Sequence, residues 1–444
     1  MFQREILQQL SQWVENDHRK PLVLRGARQV GKTTVVNELG KQFDNYLYLN
    51  LENEQTAKLF EVQVTTEELI ILLFAQKNMK RREGRTLIFI DEIQNSPKAV
   101  AKLRYFYEET PQIYVIAAGS LLESLIDVHI SFPVGRVQYM AIRPCSFREY
   151  LGAMGENSMV EILKMPGMTV AFHETLMKHF NFYTTIGGMP EVVNEYAQHR
   201  DIVRLSTIYD SLLKGYQDDV EKYAKGEKQT DVIRFILSEG WSKAGQTIKL
   251  GNFAGSSYKS GDVGNAFRTL EKTMLLELVY PSTSADLPAI GELKRAPKLI
   301  WLDTGLVNYS AQIQKEIFGS MDIMSVWRGM IAEQIVAQEL LTLDNSVNTK
   351  RKLWLRGNDS SAEVDFIYIH NSKVYPIEVK SGHNAHLKSL HSFMDRSSNQ
   401  VGIRVWTESF SIDEVVTATG KPFKLVNLPF YLIGMLPHIL DEIM

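Results

Sequence analysis

The sequence has few of the features that would place a chain outside the cell or in a membrane. Its 444 residues include one cysteine, Cys145, so no intrachain disulfide can form, and no spaced cysteine and histidine pairs mark a structural zinc site. A reducing compartment is expected. The apolar run Ile70 to Ala75 is far too short to cross a bilayer. The start, Met1-Phe2-Gln3-Arg4-Glu5, lacks the basic and then apolar profile of a signal peptide. The expectation is a soluble cytoplasmic protein with no membrane partner. Neither sign of charge prevails: 49 basic against 52 acidic side chains give a net charge of -3, which excludes a histone-like or polybasic binder but permits a local basic face. There is no low-complexity tract or internal repeat, and 44% apolar with 23% charged residues excludes wholesale disorder.

At roughly 150 residues per domain the length provides for about three domains. In the first third, four short apolar segments, Pro21 to Leu24, Tyr46 to Leu49, Leu87 to Ile90 and Ile113 to Ala117, are separated by helix-length connections. Apolar strands with helical crossovers predict an α/β fold, a parallel sheet covered on both faces. From Phe147 to about Lys225 the pattern becomes mostly helical, broken at Gly187-Gly188-Met189-Pro190. The stretch Gly305 to Ser325 reads as a connection.

After the first strand stand Gly26-Ala27-Arg28-Gln29-Val30-Gly31-Lys32-Thr33 and then Thr34, which opens a helix. Glycines at both ends let the backbone curl so that its N–H groups and the positive helix end face phosphates; Lys32 reaches the terminal phosphates and Thr33 coordinates magnesium. The strand Leu87 to Ile90 delivers Asp91 and Glu92 at its carboxyl end, where ligands of open α/β sheets bind. Asp91 suits the magnesium shell and Glu92 the polarising of an attacking water, so ATP and Mg2+ are expected and hydrolysis is implied. Ser120, after the next strand, is either a sensor of the terminal phosphate or an N-cap for Leu121 to Ile126. Arg136 is the candidate for stabilising transition-state charge, across a subunit interface of a homo-oligomer; the alternatives are a surface salt bridge, or Arg104 or Arg143 in that role.

Further on, Val232 to Tyr280 reads as helices followed by strands, with Asp262 to Lys272 as a recognition helix. Val263, Phe267 and Leu270 form its apolar face, leaving Asn265, Arg268, Thr269 and Lys272 for bases or phosphates of DNA. Lys294, Arg295 and Lys298 form a basic wing in this reading. Winged helices also serve as protein-docking modules.

The C-terminal third carries Glu363-Val364-Asp365, a turn at Asn371-Ser372, and Glu378-Val379-Lys380. A two-residue turn there sets Asp365 opposite Glu378 and Glu363 opposite Lys380 on one sheet face, with Val364, Phe366, Tyr368, Tyr375, Ile377 and Val379 on the other. Glu333 interrupts the apolar stripe of the helix Val326 to Leu341. Asp365, Glu378 and Glu333 read as ligands for hard divalent cations, with Lys380 activating a water against a phosphodiester. The competing reading is a salt-bridged sheet surface.

The loop Gly26 to Thr33, Asp91-Glu92, Gly119-Ser120, Gly135-Arg136, Arg143 to Tyr150, Gly187 to Glu191, and Pro297 to Leu299 with Asp303 to Leu306 together resemble the prokaryotic AAA-type ATPases bearing a C-terminal domain of unknown function 4143. The resemblance spans nearly the whole chain. It implies an ATPase core over residues 1–146, a helical lid over 147–225, a winged-helix-like segment over 226–310, and over 311–444 a domain similar to the PD-(D/E)xK nuclease superfamily. In that superfamily's pattern the helix acid maps to Glu333, the motif aspartate to Asp365, and the strand pair to Glu378 and Lys380. Val364-Asp365 stands where Pro-Asp is usual. The expected function is a Mg2+-dependent ATPase acting on or with nucleic acid. Alternatives are a regulatory or signalling ATPase whose C-terminal domains only dock, and a DNA-binding regulator switched by ATP with negligible turnover.

Overall fold

The computed structural model describes residues 2–119, 133, 135–314, 330–357, 362–380 and 387–443, and the chain divides into two compact units. One unit comprises Gln3–Arg143 together with Asn345–Asn348. Its strands β1 (Leu22–Arg25), β2 (Asn45–Asn50), β3 (Thr86–Asp91), β4 (Ile113–Ala118) and β5 (Gln138–Ala141) form one sheet in the order β2-β3-β4-β1-β5. Every pairing is parallel, as expected from short apolar strands alternating with helices. All six residues of β3 are buried, because helices cover both faces of the sheet.

The helices start where the side chains dictate. Thr65 and Glu68 form a reciprocal capping box at the helix Thr66–Gln76, and Ser96 caps Pro97–Glu109 with proline in the first turn. Leu69 and Leu73 from the first and Val100, Leu103 and Phe106 from the second pack on Leu47, Ile88, Ile90 and Val115 of the sheet. Full burial of each such side chain stabilises the fold by roughly 2 kcal/mol. With β1 between β4 and β5, the chain leaves β1 toward β2 on the far side of two strands. The carboxyl ends of β1 and β3 therefore flank β4, the position where open sheets bind ligands.

The other unit runs from Pro144 to Asp344 and from Thr349 to the C-terminus. It starts with helices, among them Phe147–Met154, His173–Ile186, Pro190–His199 and Leu205–Asp218. The helices Glu227–Glu239 and Ser260–Lys272 follow, then β6 (Leu276–Val279), the two-residue β7 (Pro281–Ser282) and β8 (Lys298–Trp301). β6 and β8 pair antiparallel as a two-stranded sheet. The expected connection from Gly305 is instead opened by a helix, Thr304–Ser310, because Asp303 accepts a hydrogen bond from the Leu306 N–H as its N-cap.

After the helix Met330–Thr342 come β9 (Lys352–Leu355), β10 (Glu363–His370), β11 (Lys373–Val379), β12 (Val401–Trp406), β13 (Ser411–Val416) and β14 (Pro422–Pro429). With β7 they form a seven-stranded mixed sheet in the order β13-β14-β12-β11-β10-β9-β7. The β10–β11 hairpin turns at Asn371 and Ser372, both at positive φ, with His370 paired to Lys373 and Phe366 to Ile377. That is the register read from the sequence, and Asn is among the residues that most readily adopt this turn. Among the described residues no helix is long and apolar enough to cross a membrane.

Candidate functional site

The phosphate loop is held open by its backbone. Gln29 and Gly31 both have positive φ, and at Gly31, 93° at the N-cap of the helix Lys32–Gly40, a side chain would be strained. No side chain caps this helix start, so its first N–H groups remain available to an anion. Gly26 lies so close to the neighbouring chain that an added Cβ would meet the Ile142 carbonyl oxygen at 2.6 Å. Lys32 is buried, and its Nζ donates to the Gly26 and Ala27 carbonyls at 2.9 and 2.8 Å. Burial pushes this ammonium down to about 8, against the pull of Glu92 and Asp91. Arg28, Gln29 and Thr34 are exposed.

Across from the loop, the Thr33 hydroxyl donates to Asp91 Oδ2 at 2.7 Å, and Tyr48 Oη donates to the same oxygen at 3.3 Å. The Glu92 N–H reaches Asp91 Oδ1 at 3.1 Å. Glu92 itself has φ 51°, a left-handed conformation that is uncommon for a glutamate and often found at functional sites. Burial raises its carboxyl above the ordinary value, while the hydrogen bond from Gln94 acts the other way. Gln94 Nε2 donates to Glu92 Oε2, and the Gln94 Oε1 is buried without a hydrogen-bond partner among the described residues. Thr33 and Asp91 present hard oxygens already in contact, a donor set that fits Mg2+.

Two residues beside this loop carry no local signal in the sequence. One is Gln94, since a glutamine three residues past a strand has no signature of its own. The other is Arg4: buried near the N-terminus, it donates to the Val30 carbonyl at 3.2 Å and the Arg143 carbonyl at 2.7 Å. Nothing local in Met1 to Glu5 announces a residue that buttresses a loop 26 positions away.

Of the arginine candidates, Arg136 pairs with Glu108 at 2.8 Å, Arg104 pairs with the same carboxylate at 3.0 Å, and Arg143 donates to the Ser346 carbonyl at 3.2 Å. Ser120 lies outside the described residues.

In the helix Ser260–Lys272, Val263, Phe267 and Leu270 are buried as read from their spacing, while Asn265 and Arg268 are exposed and hydrogen-bonded to each other. Thr269 and Lys272 are half-buried. Lys294 is exposed and Arg295 is paired with Glu292 at 2.6 Å. Lys298 does not belong to a basic wing: its side chain is only 3% exposed, and it sits among the C-terminal carboxylates instead. The β8 register, with Lys298 opposite Val279, directs it inward.

There its Nζ lies 2.5 Å from Glu333 Oε2, 3.1 Å from Glu363 Oε1 and 3.5 Å from Asp365 Oδ1. The Asp365 Oδ2 accepts from the Val379 N–H at 2.8 Å. Glu378 is buried and pairs through Oε1 with Lys380 at 2.8 Å, leaving Oε2 without a hydrogen-bond partner among the described residues. Burial and the Asp365 charge push both Glu333 and Glu378 up to about 7, and the neighbouring acids raise the Lys298 ammonium despite its burial. The structure thus gathers the predicted acids but sets an ammonium ion against three of them. Among the described residues, no group of three or more metal-ligating side chains has the spacing to hold a metal ion. The arrangement does not fit a divalent cation resident beside Glu333.

Residues 18–151 match a family model described as AAA domain, residues 328–422 one described as Domain of unknown function (DUF4143), and residues 177–316 one described as Domain of unknown function (DUF8612). The chain therefore carries an AAA-type domain in its first third and a domain of unknown function 4143 toward its C-terminal end. A protein of Methanocaldococcus jannaschii described as uncharacterized is 23% identical over 451 residues, covering 96% of this chain and 89% of that protein. Among solved structures, a Walker-type ATPase of Pyrococcus abyssi has a TM-score of 0.40 at 13% identity, covering 70% of this chain and 96% of that one. The Aeropyrum pernix Orc1 protein in complex with DNA has a TM-score of 0.26 at 12% identity, covering 70% and 93%. Likenesses at these scores carry no functional inference.

Proposed function

We propose that the chain is a Mg2+-dependent ATP hydrolase that acts on or with nucleic acid through the segment around the helix Ser260–Lys272. The observation that carries the ATPase half is the Thr33–Asp91 contact at 2.7 Å with Glu92 one residue on. Thr33 and Asp91 would hold a magnesium ion, which would supply charge neutralisation to the phosphates. The loop N–H groups orient the phosphates, and Lys32 exchanges the Gly26 and Ala27 carbonyls for the terminal phosphate oxygens. The raised carboxyl of Glu92 makes it a better proton acceptor near neutral pH, so it orients the attacking water and takes its proton. Arg136 supplies positive charge from a neighbouring copy in a homo-oligomer, exchanging Glu108 for phosphate. A cytoplasmic location, expected from the single cysteine, is part of this reading.

The nucleic-acid half rests on the exposed Asn265, Arg268 and Lys294, side-chain types that reach bases and phosphates. A second reading, a regulatory ATPase whose C-terminal domains only dock, is favoured by Lys298, which sets an ammonium where a nuclease would need a metal. The test is ATP turnover by wild type, Lys32→Ala and Glu92→Gln, with DNA binding measured over a range of salt. Turnover lost in both variants, with salt-sensitive DNA binding, is expected. Turnover without salt-sensitive binding favours the docking ATPase. Negligible turnover unchanged by Glu92→Gln, with ATP-dependent DNA binding, favours a switch.

A further inference from the structure

The C-terminal carboxylate cluster holds a cation that the chain itself supplies. Lys298 is fixed on β8, a strand paired residue for residue with β6, and its own backbone forms a bridge with Thr247. Its Nζ faces Glu333 from the helix Met330–Thr342 and Glu363 and Asp365 from β10, within 3.5 Å of each. The Phe366 ring closes the same side, 5.4 Å from Nζ to the centroid. A buried ammonium cannot leave these carboxylates without losing every partner that compensates its desolvation. A divalent ion coordinated by Glu333 and Asp365 would in turn be pressed against a fixed positive charge.

We propose that Lys298 is the resident cation of this cluster, standing in place of a divalent metal and stapling the β6–β8 strand pair to the helix and strand that carry Glu333, Glu363 and Asp365. The C-terminal domain is then a metal-independent binding module, whatever the ATPase domain acts on. The rival occupant is a divalent ion between Asp365 and the Glu378 Oε2 that has no hydrogen-bond partner among the described residues.

The experiment uses the full-length chain without nucleotide, in an Asp91→Asn background that quiets the magnesium seat of the phosphate loop. Mn2+ is titrated and followed by calorimetry and by the electron paramagnetic resonance of the free ion, so the readout does not depend on any activity. With Lys298 present, no Mn2+ binding that Asp365→Asn abolishes is expected. Lys298→Met vacates the seat, and one Mn2+ is expected to bind at least about tenfold more tightly, a difference lost again on adding Asp365→Asn. Binding in the Lys298 chain that disappears with Asp365→Asn overturns the proposal. So does a folded Lys298→Met chain that gains no Mn2+, since the lysine would then not be replacing a metal. If Lys298→Met does not fold, the first titration decides alone. The ATPase reading stands or falls separately, on Lys32 and Glu92.

Discussion

Glu92 and Gln94 make the sharpest case at the scale of single residues. Glu92 has a left-handed backbone and a carboxyl raised by burial, and the Gln94 amide donates to it a hydrogen bond that favours the ionised form. Glu92→Gln removes the proton acceptor, so turnover is expected to fall by about 100-fold or more while equilibrium ATP binding, measured with a fluorescent analogue, is retained. Gln94→Ala acts through Glu92 and has a different signature. Without the amide donor the carboxylate is less favoured, its pKa rises further, and the base stays protonated to higher pH. The acid limb of the kcat profile therefore moves to higher pH in Gln94→Ala, with ATP affinity little changed. A uniform fall in kcat at every pH, with the limb unmoved, would count against a positioning role.

At the scale of elements, the β10–β11 hairpin was legible, whereas long-range pairings and the capped helix Thr304–Ser310 were not. The phosphate loop, Asp91-Glu92 and the register at Asn371-Ser372 depend on neighbours in sequence, so spacing alone placed them. The inward turn of Lys298 depends on β6 and β8, strands separated by the 18 residues between Val279 and Lys298, and exposure cannot be read from a lysine's identity. The motifs at Cys145, Gly188 and Asp303 were visible as motifs, but their purpose appears only in three dimensions. The Cys145 N–H donates to the Gly188 carbonyl at 2.7 Å, and the Gly188 N–H donates to Asp303 Oδ2 at 2.5 Å. These residues pin the turn after His173–Ile186 to the start of Thr304–Ser310.

Asp303 is fully buried, and burial pushes its carboxyl up to about 6 although backbone N–H groups of Gly188, Leu306 and Gly305 oppose the shift. Since the folded pKa lies above the unfolded value of 3.8, the folded state holds the proton more tightly. Stability contributed by the group is present below about pH 4 and declines as pH rises to about 6, by about 3 kcal/mol in total. Denaturant unfolding of wild type and Asp303→Asn across this range is expected to give a difference that changes with pH in that direction and is flat above it. The helix Ser260–Lys272 gives a separate prediction. If Arg268 contacts a phosphate, Arg268→Ala lowers the slope of log affinity against log salt by about 1. An unchanged slope leaves that face without a role in DNA binding.

For the molecule as a whole, the question is how the nucleotide loop communicates with the rest of the chain. Asn345–Asn348 belong to the unit that carries the phosphate loop although they lie between the helix Met330–Thr342 and β9 in sequence. The Ala141 N–H at the end of β5 donates to the Asn345 carbonyl at 2.7 Å, and Arg143 donates to the Ser346 carbonyl. The Arg143 carbonyl in turn accepts from Arg4, whose guanidinium also holds Val30 in the phosphate loop. A continuous set of hydrogen bonds thus runs from the loop through two arginines to a segment that leads by covalent chain into the second unit. Arg4→Met keeps the length of the side chain but deletes both bonds. Charge-assisted bonds of this kind are each worth about 1.5–3 kcal/mol, so at least about a tenfold loss of ATP affinity is expected if the loop is slackened. Hydrogen exchange separates slackening from coupling. In wild type the amide of Ala141 is expected to gain protection when ATP binds, because the loop, Arg4, Arg143 and the returning segment tighten together. In Arg4→Met that gain is expected to vanish even at saturating ATP, and if it persists, the arginines hold the loop without connecting it to the returning segment.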